Sequence, residues 1–203
     1  MLSSIREISA YRWIRLLVGL ACFGMGIGFM KQADLGLGPW DVLSDGLAKM
    51  TGWQMGTFQI IIGAIVLTLW IPLREKPGIG TILNILLIGI VTNITLTLLP
   101  MPTWLVLQSA WLVIGLLVIG LGSALYLSSR LGAGPRDGLM MGINRRTGLS
   151  IRLTRTLLEV TVLVAGWLLG GTIGIGTVAF AFGIGPIIQW MFRLIGEESF
   201  LHH

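Results

Sequence analysis

Six stretches of this chain stay apolar for long enough to cross a bilayer as helices, roughly 13–30, 53–73, 79–99, 104–128, 150–171 and 174–195. About 20 such residues span the hydrocarbon core. A soluble domain buries one or two segments of this kind, so six of them predict an integral membrane protein. Two shorter patterns, 41–50 and 137–147, have helical spacing but are too polar to span. Ten residues reach only about 15 Å, half a membrane. They predict helices that lie on the membrane surface or that dip in and return. Irregular backbone at membrane depth requires cover from protein or a water-filled cavity.

The same order of elements occurs twice, at an offset of 96 residues, and the sequence repeats with it. Asp34-Leu35-Gly36-Leu37-Gly38-Pro39-Trp40-Asp41 becomes Arg130-Leu131-Gly132-Ala133-Gly134-Pro135-Arg136-Asp137. In the same register Gly78-Ile79-Gly80-Thr81 matches Gly174-Ile175-Gly176-Thr177, and Thr51-Gly52 matches Thr147-Gly148. Each half holds three spans, and an odd number forces the halves to face opposite ways, as in many transporters. The expected fold is all-α, with six transmembrane helices forming two inverted three-helix repeats, 1–100 and 101–203. Each repeat carries a short re-entrant or interfacial helix after its first span.

Composition narrows the class and charge sets the orientation. The chain is 54% hydrophobic and 11% charged, with a mean hydropathy of +0.87, outside the range of soluble domains. Of its 14 basic residues, Lys31 and Lys49 fall in one alternate set of connections. Arg6, Arg12, Arg15, Arg74, Lys76, Arg130, Arg136, Arg145, Arg146, Arg152, Arg155 and Arg193 fall in the other set. The positive-inside rule places that second set, and both termini, in the cytoplasm of a bacterial inner membrane. Because membrane topology accounts for the positive charge, no nucleic-acid partner is expected. The first apolar run lacks a small-x-small cleavage pattern and is expected to stay as a helix. Trp13, Trp40, Trp53, Trp70 and Trp104 stand near span ends, where interfacial anchors belong.

Catalytic chemistry finds little support. The only histidines are His202 and His203, and the one cysteine is Cys22, which excludes an internal disulfide and a multi-cysteine metal site. No Ser/His/Asp set and no His-x-x-x-His spacing is present, so neither an enzyme nor a bound cofactor or metal is expected.

The candidate site lies in the repeated loops. Gly36, Gly38, Pro39, Trp40 and Asp41 recur as Gly132, Gly134, Pro135, Arg136 and Asp137. Proline at the first helical position gives up an N–H that would be orphaned anyway, and the aspartate faces the positive helix end. In inverted halves one loop enters from each side. Their helix N-termini would then converge and offer N–H groups to an anion or carboxylate. The plainer reading is that the glycines only make tight turns and the aspartates only cap short helices. Within the spans, Glu159 has Arg155 one turn earlier and Gly63 as its repeat counterpart. The two form a neutralised pair, a substrate site or a proton-coupling site. Gln59, Asn84 and Asn93 add amides that line a pathway or tie helices together. Asp34, Asp41 and Asp45 against Lys31 and Lys49 outside, with Arg130 and Arg136 inside, either attract cations outside and anions inside or simply follow the positive-inside rule.

The run Leu35-Gly36-Leu37-Gly38-Pro39-Trp40-Asp41-Val42-Leu43, with its echo through Asp137-Gly138-Leu139, resembles the bacterial YczE/YyaS/YitT group of small membrane proteins. That resemblance covers nearly all of the chain and implies a six-helix inner-membrane protein for which transport is often supposed. Arg136 departs from the pattern where the first repeat has Trp40. The expected function is a small transporter or channel for a small polar or charged solute. Its pathway would run between the repeats, with the lipid bilayer and a second copy of the chain as partners. The alternative is a membrane scaffold that organises a partner protein and moves nothing.

Overall fold

A computed structural model describes residues 10–197, so Arg6, His202 and His203 lie outside the described residues. Eight helices follow one another: α1 (Ala10–Ala33), α2 (Pro39–Thr51), α3 (Met55–Leu73), α4 (Ile79–Leu98), α5 (Leu105–Ser128), α6 (Pro135–Thr147), α7 (Ile151–Leu168) and α8 (Ile175–Leu194). Among the described residues there is no strand. Helices α1, α3, α4, α5 and α8 are long and apolar enough to cross a membrane. The 18 residues of α7 carry Arg152, Arg155 and Glu159, which set it apart from those five. The short helices begin at the prolines, two residues earlier than the hydrophobic pattern suggested.

At the centre α1 and α5 run antiparallel. Arg12 donates to the Ser129 carbonyl at one end, at 2.7 Å, and Phe29 meets Trp111 edge-on at the other. Glycines set the closeness of this crossing. A Cβ on Gly19 would lie 2.8 Å from the Gly122 carbonyl oxygen, and one on Gly26 would lie 2.7 Å from that of Gly115. Gly19 and Gly115 are counterparts at the repeat offset, as are Gly26 and Gly122, so the two contacts exchange under the repeat. The loop contacts behave alike. The Gly80 N–H donates to the Leu131 carbonyl at 2.9 Å, and the Gly176 N–H donates to the Leu35 carbonyl at 2.7 Å.

Around this pair α4 packs on α1 and α8 packs on α5, while α2 lies against α7 and α6 against α3. The short helices end identically. The Gly52 N–H returns to the Ala48 carbonyl, and the Gly148 N–H returns to that of Asn144. Helix α2 is buried over most of its first two turns, from Pro39 through Gly46 apart from Leu43.

Charged contacts gather at both ends of the bundle, first where α1 begins. Arg145 pairs with Glu75, Arg146 donates to the Pro72 carbonyl, and Arg15 pairs with Glu197. At the opposite end Lys31 and Lys49 share one carboxylate, Asp45, at 2.7 and 3.0 Å. The Thr172 N–H and hydroxyl also donate to it, at 2.9 and 2.7 Å. Asp45 is only 1% exposed. Of the three acids of this connection, Asp41 and Asp45 are buried and engaged by neighbours, and Asp34 is exposed. Burial alone would raise the Asp45 carboxyl, but Lys31, Thr172 and Lys49 outweigh it and hold it below the usual carboxylate range.

Two outcomes are expected. Gly26→Val or Gly122→Val forces the α1 and α5 backbones apart and destabilises the protein by about 1–3 kcal/mol, read as a lower melting temperature in detergent, while Gly183→Ala, where a Cβ meets nothing closer than 3.9 Å, leaves it unchanged. For Asp45 the folded carboxyl is depressed, so its contribution is complete above an unfolded pKa near 3.9 and is lost as pH falls through the lower folded value. Asp45→Asn melts below wild type at pH 7, and the difference shrinks as pH falls below about 4.

Candidate functional site

The first turns of α2 and α6 face one cavity of about 420 Å3. Gly38, Pro39, Trp40, Asp41, Gln59, Asn84, Gly134, Pro135, Arg136, Asp137, Arg155 and Glu159 all line it, brought there by α2, α3, α4, α6 and α7. Phe23 of α1, Ser123 and Tyr126 of α5, and Phe180, Ile184 and Gln189 of α8 complete the wall. A second hollow of about 480 Å3 against α3 and α4 is nearly all apolar and contains no residue of the repeated motif.

Local structure explains how the two helix starts reach this cavity. Asp34 and Arg130, counterparts in the repeat, take left-handed backbone with φ of 54° and turn the chain out of α1 and α5. Gly36 and Gly132 follow with φ of 117° and 142°, a region that side chains avoid. Each also presses on the start of a distant helix. A Cβ on Gly36 would lie 2.7 Å from the Gly174 nitrogen, and one on Gly132 would lie 3.1 Å from the Thr81 nitrogen. These two glycines were expected among the site residues, but they shape the turns and do not line the cavity.

Asn93 is also elsewhere. Its carbonyl accepts from the Gly56 N–H at 2.7 Å and ties α4 to α3. Gly38 and Gly134 are different again. They are the residues just before each helix, with ordinary φ of −64° and −60°, and they are small because the cavity wall is close. A Cβ on Gly38 would meet the Phe180 ring at 3.0 Å, and one on Gly134 would lie 2.9 Å from Asp137 Oδ2.

Where the two helix starts meet, the motif residues pair across the repeat. The Arg136 guanidinium lies 5.1 Å from the centre of the Trp40 ring, a cation–π contact, and 3.5 Å from Asp41 Oδ1. Trp40 and Arg136 are the same position of the two repeats. Gln59 Nε2 donates to that same Asp41 oxygen at 3.0 Å. A carboxylate only accepts, which fixes the amide with its nitrogen toward Asp41. Gln59 Oε1 then points elsewhere, buried and without a hydrogen-bond partner among the described residues. On the other half Tyr126 donates its hydroxyl to Asp137 Oδ2 at 3.1 Å. The Trp70 indole donates to the Pro135 carbonyl at 3.0 Å. Arg155 and Glu159 form their one-turn pair at 2.8 Å.

Two of these partners escaped the sequence reading. Trp70 was grouped with the interfacial anchors, yet it is buried against α6. Its place one turn before the end of α3 gave no sign of this. Trp53 and Trp104 are exposed, as such anchors should be. Tyr126 is one of two tyrosines in the chain, and its spacing within an apolar run carried no chemical signal.

The resulting site is a pocket of mixed charge with apolar walls. Among the described residues no group of histidine, cysteine and acidic side chains that could hold a metal is present. The pocket is open on one side. Helices α7 and α8 make little contact, whereas their counterparts α3 and α4 pack together, and Arg155 and Gln189, which line the cavity from those two helices, are exposed.

Comparison with known proteins gives a family and a membrane protein among its relatives, without an activity. The chain is 44% identical over 182 residues to an uncharacterized protein of Haemophilus influenzae, covering 90% of this chain and 84% of the other. It is 35% identical over 181 residues to the uncharacterized membrane protein YczE of Bacillus subtilis, covering 88% and 84%. With YyaS of the same organism it shares 31% over 188 residues, covering 91% and 93%. No solved structure matches it. The apolar helices and these relatives make this a multi-pass helical membrane protein. The profile of the family of unknown function DUF6198 matches residues 10–193, and the chain belongs to that family.

Proposed function

We propose that this protein is a small transporter or channel, and that its pathway runs through the cavity between the starts of α2 and α6. One observation carries the reading: two copies of a repeated loop, far apart in the chain, line a single partly open pocket that holds both carboxylates and guanidiniums. In this reading α7 is a sixth span, and its Arg155–Glu159 pair lies at the mouth of the pathway. The exchange of Gly19–Gly122 with Gly26–Gly115 supports inverted three-helix repeats, since antiparallel counterparts related in this way imply a two-fold axis across the helices. Both termini lie in the cytoplasm, on the side where the arginines gather. Helices α2 and α6 enter the membrane from opposite faces. Their buried starts support this, because unpaired backbone in the membrane needs protein or cavity cover.

The sparse packing of α7 on α8 supports an opening on that side. Closing it against the α3–α4 side would give alternating exposure of the pocket, as expected when one repeat rocks on the other.

Reconstituted vesicles test the proposal. Purified protein is expected to give saturable uptake of at least one solute from a panel of labelled amino acids, amines and carboxylates. The double variant Gly38→Ala with Gly134→Ala fills the wall beside Phe180 and Asp137. It is expected to cut that uptake roughly tenfold or more while melting close to wild type. Glu159→Gln is expected to alter the pH dependence if the pair at the mouth couples proton movement. No protein-dependent flux for any solute contradicts the proposal and favours a scaffold.

A further inference from the structure

The cavity contains a donor and an acceptor side by side that the protein leaves largely unused. Gln59 is 7% exposed, and its Oε1 has no hydrogen-bond partner among the described residues. Arg136 offers five N–H donors, yet its one hydrogen bond among the described residues is the 3.5 Å approach to Asp41. Both side chains converge on the same oxygen, Asp41 Oδ1, at 3.0 and 3.5 Å. A ligand reaching one of them is therefore within a few bonds of the other.

Charge balance then limits what the ligand can be. Asp41, Asp137 and Glu159 face the cavity with Arg136 and Arg155, a formal excess of one negative charge. Each helix start contributes about half a positive charge, and two of them bring the site close to neutral. A solute with net charge would unbalance this in a weakly screening interior. A zwitterion adds charge of both signs and no net charge. The α3–α4 wall beside Gln59 is apolar, with Ile62, Ile85 and Ile88, and about 420 Å3 lies within the range of small-molecule sites.

We infer that the solute is an α-amino acid with an apolar side chain, its ammonium on Gln59 Oε1 and its carboxylate on the Arg136 guanidinium. This rests on the transport reading above and names the substrate class of the same cavity. The two charged groups of an α-amino acid sit on one carbon, which matches an amide and a guanidinium that both donate to one carboxylate oxygen and leave the amide's own oxygen unpaired beside them. Asp41 holds the pair in place, and the isoleucine wall receives the side chain.

The test compares L-leucine with two relatives, each lacking one charged group, on the purified protein. Isoamylamine lacks the carboxylate and 4-methylpentanoate lacks the ammonium. L-Leucine is expected to raise the melting temperature in a saturable way, with each relative at least about tenfold weaker. Gln59→Leu and Arg136→Gln are each expected to weaken L-leucine by about tenfold or more. The ligand comparison on wild type stands even if either variant fails to fold. Equal stabilisation by either relative, or none by L-leucine, L-methionine or L-phenylalanine, overturns the inference. Vesicle uptake separates this from the reading beneath it. Flux of another solute without amino-acid binding overturns the substrate class alone. Amino-acid binding without any flux upholds the ligand and overturns transport.

Discussion

Two short helices begin in the interior of a helical bundle, and each must satisfy backbone N–H groups that a surface helix leaves to water. Everything distinctive at the site follows from this constraint. Pro39 and Pro135 remove one orphan donor from each start. The N-cap carbonyls of Gly38 and Gly134 accept the first returning bonds, and Asp41 and Asp137 set a carboxylate against each positive end. Asp41 is then itself buried and Asp137 half-buried, and both need donors, which Gln59, Arg136 and Tyr126 supply. A structural solution for two helix ends thus leaves a polar cavity lined from both halves of the chain.

The two halves are alike where they pack and unlike where they meet. Their glycines, proline turns and threonine caps recur at the same offset, because closeness of backbones is demanded equally in both. Near a two-fold axis a strict repeat would bring each residue onto its own copy. Tryptophan on tryptophan would leave Asp41 without a cation, and arginine on arginine would bury like charges. Trp40 against Arg136 avoids both. Three further pairs that differ, Gln59 with Arg155, Gly63 with Glu159 and Asn84 with Phe180, line the same cavity.

Much of this was legible in the sequence because membrane proteins expose their constraints as pattern. Apolar length marked the helices, and the fixed offset marked the repeat. The Gly-Pro-x-Asp motif marked residues that line the cavity. What failed was discrimination among chemically identical side chains. Asn84 and Asn93 read alike, yet Asn93 ties α4 to α3 while Asn84 faces the cavity. Gly36 and Gly38 stand two residues apart, but one makes a turn and the other makes room. Trp70 and Trp104 both lie near helix ends, and only the packing of α6 decides that one is buried. These differences depend on which helix lies opposite, and periodicity along one chain does not encode that.

The central claim is that two copies of one motif enter a shared cavity from opposite faces of the membrane. Thr51 and Thr147 end the two short helices and are repeat counterparts, both exposed. In a Cys22→Ser background, Thr51→Cys and Thr147→Cys can be labelled separately with a membrane-impermeant maleimide in intact cells. The account predicts labelling of position 51 from outside and of position 147 only after permeabilisation. Labelling of both from the same side would contradict it.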